Sequence, residues 1–394
     1  MRLFLTTWGY PSKNAKGNPF VKEIAEAMAR RGVEVFVVVV SFRGLRSLFS
    51  ASINTEWQNS DLVQLREVTI MNWIPGFLGL RQLGRRMAQK QMTRALISLV
   101  KDVGEPDAFQ IHYVLHSSGW LFTEFLNNVC KKYVLFEHSP GASFMRGIKM
   151  NYGGFDNMEE LNAYVRGASL RIARIDKYAD KLEAIYGVPF ERLPSFISKQ
   201  TMESVDVPKT DAHDEKFSFI SIGSLIPRKG FDLLIDAFHH GFYSEPNVTL
   251  TIVGGGDLEA ELRKQIEQHG MSDQIILTGE ISKSHVFELI QASDVVVLAS
   301  EWETFGNTVI EGMLHGKPVV STRCDGPETI ITDETGVLCD RDMSNLAAAM
   351  NDVYKNYNRF DSQKIMEYCR DNYSENAVMD KLSHLYTKSL GLDF

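Results

Sequence analysis

Apolar runs that end in glycine-containing turns alternate with stretches whose apolar positions recur every three or four residues, and the alternation repeats along the 394-residue chain. The first cycle is complete within forty residues. Arg2 to Thr7 reads as a strand, Trp8 to Asn18 as a Gly/Pro/Asn/Ser loop, and Pro19 to Arg31 as a helix with Val21, Ile24, Ala25 and Met28 on one face. Asn18 is placed to cap that helix and Pro19 to fill its first turn, where a missing N–H costs nothing. Gly32 ends it, and Glu34 to Val40 follows as a buried strand of β-branched residues, making a βαβ unit and a parallel sheet.

Further strands are expected at Phe109 to Tyr113 and Tyr133 to Phe136, with helices at Trp120 to Lys131 and Asn157 to Ala173. Leu193-Pro194-Ser195 interrupts the pattern. Beyond the polar stretch Ser204 to Lys216 a second alternation begins, with strands at Phe217 to Ile222, Thr249 to Val253, Ile275 to Leu277, Val295 to Leu298 and Pro318 to Ser321. Helices between them are expected at Asp232 to Phe238, Leu258 to His269, Lys283 to Gln291 and Thr308 to His315. The pattern predicts an α/β protein of two doubly wound, Rossmann-like domains, 1–195 and 196–375, a division that the length also favours. In such sheets ligands bind beyond the carboxyl ends of the strands, so the loops after strands are where chemistry is sought.

Composition changes this picture little: 44% hydrophobic and 23% charged residues are ordinary globular usage. No apolar run approaches the roughly 20 residues of a membrane span, and no small-residue cleavage site follows an apolar core near the start. Cys130, Cys324, Cys339 and Cys369 show no metal or disulfide spacing, so reduced thiols in a cytoplasmic protein are expected. Charge is more informative. Residues 1–195 hold 25 Lys and Arg against 18 Asp and Glu, net +7, whereas residues 196–394 hold 17 against 32, net −15. Within the first half, residues 68–101 contain no acid but have Arg81, Arg85, Arg86, Lys90, Arg94 and Lys101 beside Phe77, Leu78, Leu80, Leu83 and Met87. This is a candidate basic amphipathic helix, read either as a solvated face or as a peripheral contact with an anionic membrane surface. No nucleic-acid partner is expected.

Three loops of the second half could carry chemistry. Ser221 to Gly230 follows a strand and opens a helix with Arg228 and Lys229 near its start, a common way to hold a phosphate, although the G-x-x-x-x-G-K-[ST] signature is absent. Val253-Gly254-Gly255-Gly256-Asp257 also joins a strand to a helix, with Asp257 available as a cap. Ser300 to Met313 is the strongest segment. Glu303 and Glu311 would lie about 12 Å apart and out of line on one helix, so a shared ligand requires Glu303 in the loop and Glu311 in the first turns of the helix that Gly306 and Asn307 open. In the first half, His112 and His116 fall at or just after a strand end, and Trp8 and Tyr10, in the first loop, are candidates for stacking on a ligand or for packing.

Glu303 and Glu311, with Phe305-Gly306 between them and Gly312 to Pro318 after them, resemble the E-x7-E region of the family-4 retaining glycosyltransferases (glycosyl transferases group 1). Gly223 to Gly230 resembles that family's diphosphate loop, and Cys324-Asp325-Gly326-Pro327-Glu328 with Thr335-Gly336-Val337 its following elements. In the first half the likeness is limited to the opening βαβ unit with its Gly17 loop and to Phe136-Glu137-His138.

The resemblance implies the GT-B fold, two Rossmann-like domains facing across a cleft, with the last helix and residues 376–394 returning to the acceptor-binding first domain. It implies a metal-independent, retaining hexosyl transfer from a UDP- or GDP-sugar to a glycan or lipid-linked acceptor, as in bacterial surface polysaccharide or lipopolysaccharide biosynthesis. By position, Lys229 would bind the donor diphosphate, Glu303 the donor sugar and Glu311 the ribose. Gly17, Gly255, Phe305, Gly306, Asn307 and Thr308 would line the donor, and His138 would lie near the anomeric carbon. The family often has Arg where this chain has Ser224, and Arg228 is the candidate to supply that charge. The nucleotide-sugar is a substrate; no cofactor or metal is expected, and the chain is read as lacking the D-x-D run that a metal-dependent transferase often shows. Two other readings use the same fold, a nucleotide-sugar 2-epimerase and a non-catalytic sugar-nucleotide-binding scaffold. A dehydrogenase is disfavoured because Gly17-Asn18-Pro19 is not G-x-G-x-x-G.

Overall fold

The computed structural model describes residues 1–7, 10, 19–43, 58–59, 62–71, 81–112, 119–138, 155, 157–203, 205 and 216–394. The chain divides into two compact units, Met1–Leu193 with Met379–Phe394, and Pro194–Val378. Each is built on one sheet.

The first sheet contains β1 (Arg2–Thr7), β2 (Glu34–Arg43), β3 (Gln58–Asn59), β4 (Gln64–Met71), β5 (Ala108–His112), β6 (Tyr133–Glu137), β7 (Leu170–Ala173) and β8 (Glu191–Arg192). Their order in space is β3-β4-β2-β1-β5-β6-β7-β8. Every neighbouring pair is parallel except β3 with β4. The opening βαβ unit is present, with its helix at Pro19–Arg30; Asn18, the expected cap, lies outside the described residues. Phe4 stacks edge-on against Phe36 and Phe109, and Phe109 against Phe122 and Phe125 of the helix Gly119–Asn128, so apolar strands and one helix face close a single aromatic core.

One expected element is corrected. The helix expected over Asn157 to Ala173 is the helix Met158–Gly167 followed by the strand β7. Ala168 already has extended backbone, and a Cβ at Gly167 would approach the Tyr133 hydroxyl to 2.8 Å. Leu170 to Ala173 then gains a ladder against β6, which outweighs the helical spacing of its apolar residues.

The second sheet, β9 (Phe217–Ile222), β10 (Val248–Val253), β11 (Ile275–Leu277), β12 (Val295–Leu298), β13 (Val319–Thr322) and β14 (Gly336–Cys339), is parallel throughout. Its order, β11-β10-β9-β12-β13-β14, is the dinucleotide-fold order, and the direction of winding reverses between β9 and β12. Val295, Val297, Phe219, Leu250 and Ile252 meet Leu234, Phe238 and Phe242 of the helix Phe231–Phe242 in the core on one side. At such a reversal the loops after β9 and β12 lead to opposite faces of the sheet, which leaves a crevice between them suited to a ligand.

The last helix, Glu375–Leu390, begins in the second unit, and from Met379 onward packs with the first. Tyr386 is fully buried there, its hydroxyl 2.5 Å from the Gln110 amide of β5, and Arg31 pairs with Asp380 at 2.7 Å.

Candidate active site

The switch point of the second sheet gathers charge. After β9 the chain runs through Gly223 and the exposed Ser224 into a short 3-10 turn, Pro227–Lys229, which Gly230 closes at φ 64 before the helix Phe231–Phe242 starts. The Lys229 stem crosses Gly223, where a Cβ would sit 3.4 Å from Cε. After β12 the loop residues Ser300 to Phe305 lead to Gly306, left-handed at φ 90, and the helix Asn307–Leu314.

Between these loops Glu303 forms a hub. Its carboxylate accepts from Lys229 Nζ at 2.5 Å, from Ser300 Oγ at 2.7 Å and, at 3.5 Å, from Arg228 Nη1. Arg228 Nη1 also donates to the Trp302 carbonyl at 2.8 Å, with the guanidinium 4.3 Å from the Trp302 ring centroid. The Glu303 side chain is only 9% exposed, against 18% for Lys229 and 27% for Arg228. A nearly buried carboxylate is thus offset by two cations that remain open to solvent. Its backbone is held equally firmly: Glu303 N–H donates to the Cys324 carbonyl at 2.7 Å, and Gly326 N–H to the Glu303 carbonyl at 3.2 Å. Asp325 is forced to φ 74 there, and a Cβ at Gly326 would fall 2.3 Å from the Phe305 carbonyl oxygen. Burial, then the Glu303 charge, push the nearby Cys324 thiol up to about 12, so it stays protonated.

The remaining residues of this site are distributed around the hub. The Phe305 side chain is buried, with its ring against Tyr373, which leaves its backbone for any ligand contact. Asn307 and Thr308 form the first turn of the helix, and Asn307 Oδ1 is buried without a hydrogen-bond partner among the described residues. Glu311 is half-buried one turn further on, with its carbonyl 2.8 Å from His315 Nδ1. Gly255 lies in the loop after β10, which is laced to the β9 loop by Gly223 N–H to the Val253 carbonyl and Leu225 N–H to the Gly255 carbonyl, 3.0 and 2.9 Å. Asp257 does not cap the next helix; Leu258 occupies that position.

One D-x-D run does occur, Asp340-Arg341-Asp342, and its carboxylates have structural work. Asp342 caps the helix Met343–Lys355, and Asp340 faces Arg323 at 3.7 Å. Among the described residues no three His, Cys, Asp or Glu side chains are grouped to hold a metal.

In the first unit the structure brings His112 and His138 together at adjacent strand ends, fully buried, with their rings 2.5 Å apart between His112 Nδ1 and His138 Nε2. Arg174 donates to His138 Nδ1 from Nε at 2.9 Å, and its Nη2 lies 2.6 Å away. Because a guanidinium only donates, the single proton of neutral His138 sits on Nε2, directed at His112. Gln110 lies 2.7 Å from His112 Nε2. Both nitrogens of His138 are therefore occupied, and contact with a substrate requires it to give up a partner. Tyr10 is buried, 5% exposed, and has no open ring face for a stacked sugar. Trp8, Gly17 and His116 lie outside the described residues.

Burial first, and then the Arg174 charge, lower the His112 pKa to about 3; the same causes, with His112 added, hold His138 well below 6.5. Below about pH 6.5 the unfolded chain therefore binds protons that the folded chain refuses. Stability should fall as pH drops from 6.5 towards 3, by up to about 1.4 kcal/mol per pH unit for each histidine. Urea unfolding between pH 7 and 5 checks this, and a slope that is the same in wild type and His112→Gln would contradict it.

Ser300, Trp302, Gln110, Arg174 and Tyr386 escaped the sequence reading. Ser300 and Trp302 flank Glu303 in the segment already singled out, whereas Arg174 was hidden because the strand preceding it had been absorbed into a helix.

Residues 204–372, within the second unit, match the family model described as Glycosyl transferases group 1. Over 163 residues it is 31% identical to the lipopolysaccharide core biosynthesis glycosyltransferase LpsE of Rhizobium meliloti (strain 1021), a match covering 41% of this chain and 46% of that protein. The chain thus spans less than half the length of that relative. Among solved structures, sucrose-phosphate synthase from Thermosynechococcus elongatus superposes with TM-score 0.71 at 19% identity, covering 98% of both chains. Anabaena HepE in complex with UDP and glucose superposes with TM-score 0.65 at 17% identity, covering 98% of this chain and 100% of that one. The fold is GT-B, as the resemblance to the glycosyltransferase family implies.

Proposed function

We propose that the protein is a retaining glycosyltransferase that moves a hexose from a nucleoside-diphosphate sugar, UDP- or GDP-linked, to a glycan or lipid-linked acceptor. The observation that carries this reading is the pair of partly exposed cations, Lys229 and Arg228, gathered at Glu303 beyond the carboxyl ends of β9 and β12. Cleavage of the sugar–phosphate bond develops negative charge on the departing diphosphate. Cations already held by the fold, with N–H groups at the start of the helix Asn307–Leu314, stabilise that charge without reorganisation. The donor diphosphate takes Lys229 from Glu303 and meets the open edge of Arg228, which frees the carboxylate to accept from sugar hydroxyls, while Glu311 accepts from the ribose diol. The first unit takes the acceptor. The name of the LpsE relative supports a role in surface polysaccharide or lipopolysaccharide synthesis, and the UDP and glucose in the HepE structure support a nucleotide-sugar donor. Incubation with UDP- and GDP-hexoses and an acceptor panel, with anomeric configuration read by NMR, tests the assignment. A retained configuration supports it; sugar epimerisation without acceptor would favour the 2-epimerase, and no turnover with intact nucleotide binding the scaffold.

No described helix is long and apolar enough to cross a membrane, so a lipid-linked acceptor would be met at a bilayer surface. The basic helix spans Arg81–Val103, and the structure redistributes its charges: Arg85 is buried, paired with Glu160 and stacked on Trp120. The outward stripe is Leu83, Arg86, Lys90, Arg94, Ile97 and Lys101, with Leu83 51% and Ile97 37% exposed. We place the peripheral contact with the cytoplasmic membrane face on this stripe. Replacing Arg86, Lys90 and Arg94 by Glu should weaken binding to anionic vesicles about 10²-fold, at about 1 kcal/mol per lost basic residue. Unchanged partitioning would remove the membrane from the account.

A further inference from the structure

Arg228 is held in a way that Lys229 is not. Its guanidinium lies on the Trp302 ring at 4.3 Å, its Nη1 donates to the Trp302 carbonyl at 2.8 Å, and its own carbonyl accepts from Glu301 N–H at 2.8 Å. Two loops from different strands, 74 residues apart, are thereby fastened through a single residue. Among the described residues Lys229 meets the same loop only at the Glu303 carboxylate, and its stem rests on Gly223 of its own loop. Ser224, exposed in the turn after β9, brings no charge to the site.

We propose that Trp302 is a positioning residue that fixes Arg228 as the second cation for the donor diphosphate. The proposal rests on the reading of this site as a nucleoside-diphosphate site. A free arginine on a loop samples many rotamers, and ordering it on binding opposes affinity. Stacking removes that freedom beforehand, and it leaves a planar fork whose geometry matches two phosphate oxygens at once. The Nε–H and Nη2 donors have no hydrogen-bond partner among the described residues, so the face of the fork not spent on the Trp302 carbonyl and Glu303 is the one the diphosphate meets. Lys229 supplies a point charge and Arg228, set by Trp302, supplies the direction. An indole ring next to the hub carboxylate then acts on phosphate binding without touching phosphate.

The test compares binding of a nucleoside diphosphate and the matching monophosphate, UDP with UMP and GDP with GMP, by calorimetry to wild type and variants. Trp302→Leu should weaken the diphosphate about 3- to 30-fold, the range for a lost cation–π contact, and the monophosphate less than twofold. Trp302→Phe should recover most of the loss. Arg228→Ala should weaken the diphosphate at least as much, and the double variant Arg228→Ala, Trp302→Leu no further, since the ring acts through the arginine. An unchanged ratio of diphosphate to monophosphate affinity in Trp302→Leu, or additive losses in the double variant, would overturn the role of Trp302 while wild-type binding leaves the site standing. Wild type that binds neither diphosphate would overturn the site itself and this proposal with it. Trp302→Phe keeps the test decisive where Trp302→Leu fails to fold: full wild-type affinity supports the stack, and a loss equal to that of Arg228→Ala contradicts it.

Discussion

Replacing Lys229 by alanine is expected to lower the rate of sugar transfer by about 10² to 10³, or about 2.7 to 4 kcal/mol, the usual effect of removing one fixed group that stabilises charge in the transition state. The structure gives a reason to expect the upper part of that range. Lys229 is the closest cation to Glu303, at 2.5 Å, and Arg228 is 3.5 Å away. Without Lys229, Glu303 keeps Ser300 and draws Arg228 further inward, so a donor loses one cation outright and part of the second. Folding should lose less, because Arg228 and Ser300 remain on the Glu303 carboxylate and its backbone bridges stay in place. Steady-state transfer and a thermal melt measured together separate the two effects. Turnover within fivefold of wild type would remove Lys229 from the chemistry.

The second large effect is on stability. Gly254 has φ 145, and a Cβ there would lie 1.9 Å from the Gly223 carbonyl oxygen and 2.9 Å from its carbon, a backbone that cannot turn aside. Gly254→Ala should therefore destabilise the second unit by about 2 to 6 kcal/mol, from a strained backbone and a steric overlap each costing about 1 to 3. Relief requires the β9 and β10 loops to part, breaking Gly223 N–H to Val253 and Leu225 N–H to Gly255. Nucleotide affinity should fall with it, because Lys229 rests on Gly223. Gly255→Ala is the control: a Cβ there meets only the Glu280 neighbourhood at 3.5 Å or more, and it should cost less than about 1 kcal/mol. Urea denaturation of both variants decides, and equal midpoints would show that the loops are not packed as described.

How far the sequence alone reached depends on what kind of information each feature needs. β1, β2, β5, β6, β9, β10, β12 and β13 are legible because fully buried parallel strands are short apolar runs closed by turns, and the same punctuation exposes the helices between them. β4 was not, since Gln64 to Met71 mixes Arg66 and Glu67 with apolar residues; only the structure shows Arg66 buried against Asp102 at 3.0 Å. β7 was lost because four apolar residues directly after a helix continue its spacing, and what separates them is the ladder to β6, a long-range fact.

The site divides in the same way. Glu303, Lys229 and Arg228 were singled out one by one, from their places after strands, but their convergence depends on β9 and β12 being neighbours. Strand order is not written in local spacing. The same holds for His112, His138 and Arg174, which three separate strand ends bring together. The resemblance to a known family supplied roles for several of these residues, yet it did not indicate that Glu303 would hold both cations, or that the Trp302 ring would carry one of them.

The central claim is that the second unit holds a nucleoside diphosphate between Lys229, Arg228 and Glu311. Thermal stabilisation of the purified protein by UDP, GDP, CMP and ADP, with Glu311→Ala alongside, tests it most directly, since a ligand at a hundred times its Kd adds about 2.7 kcal/mol of stability. The account predicts a clear shift with a uridine or guanosine diphosphate and its loss in Glu311→Ala. Absence of stabilisation by any of these nucleotides at millimolar concentration, or an equal shift in Glu311→Ala, would contradict it.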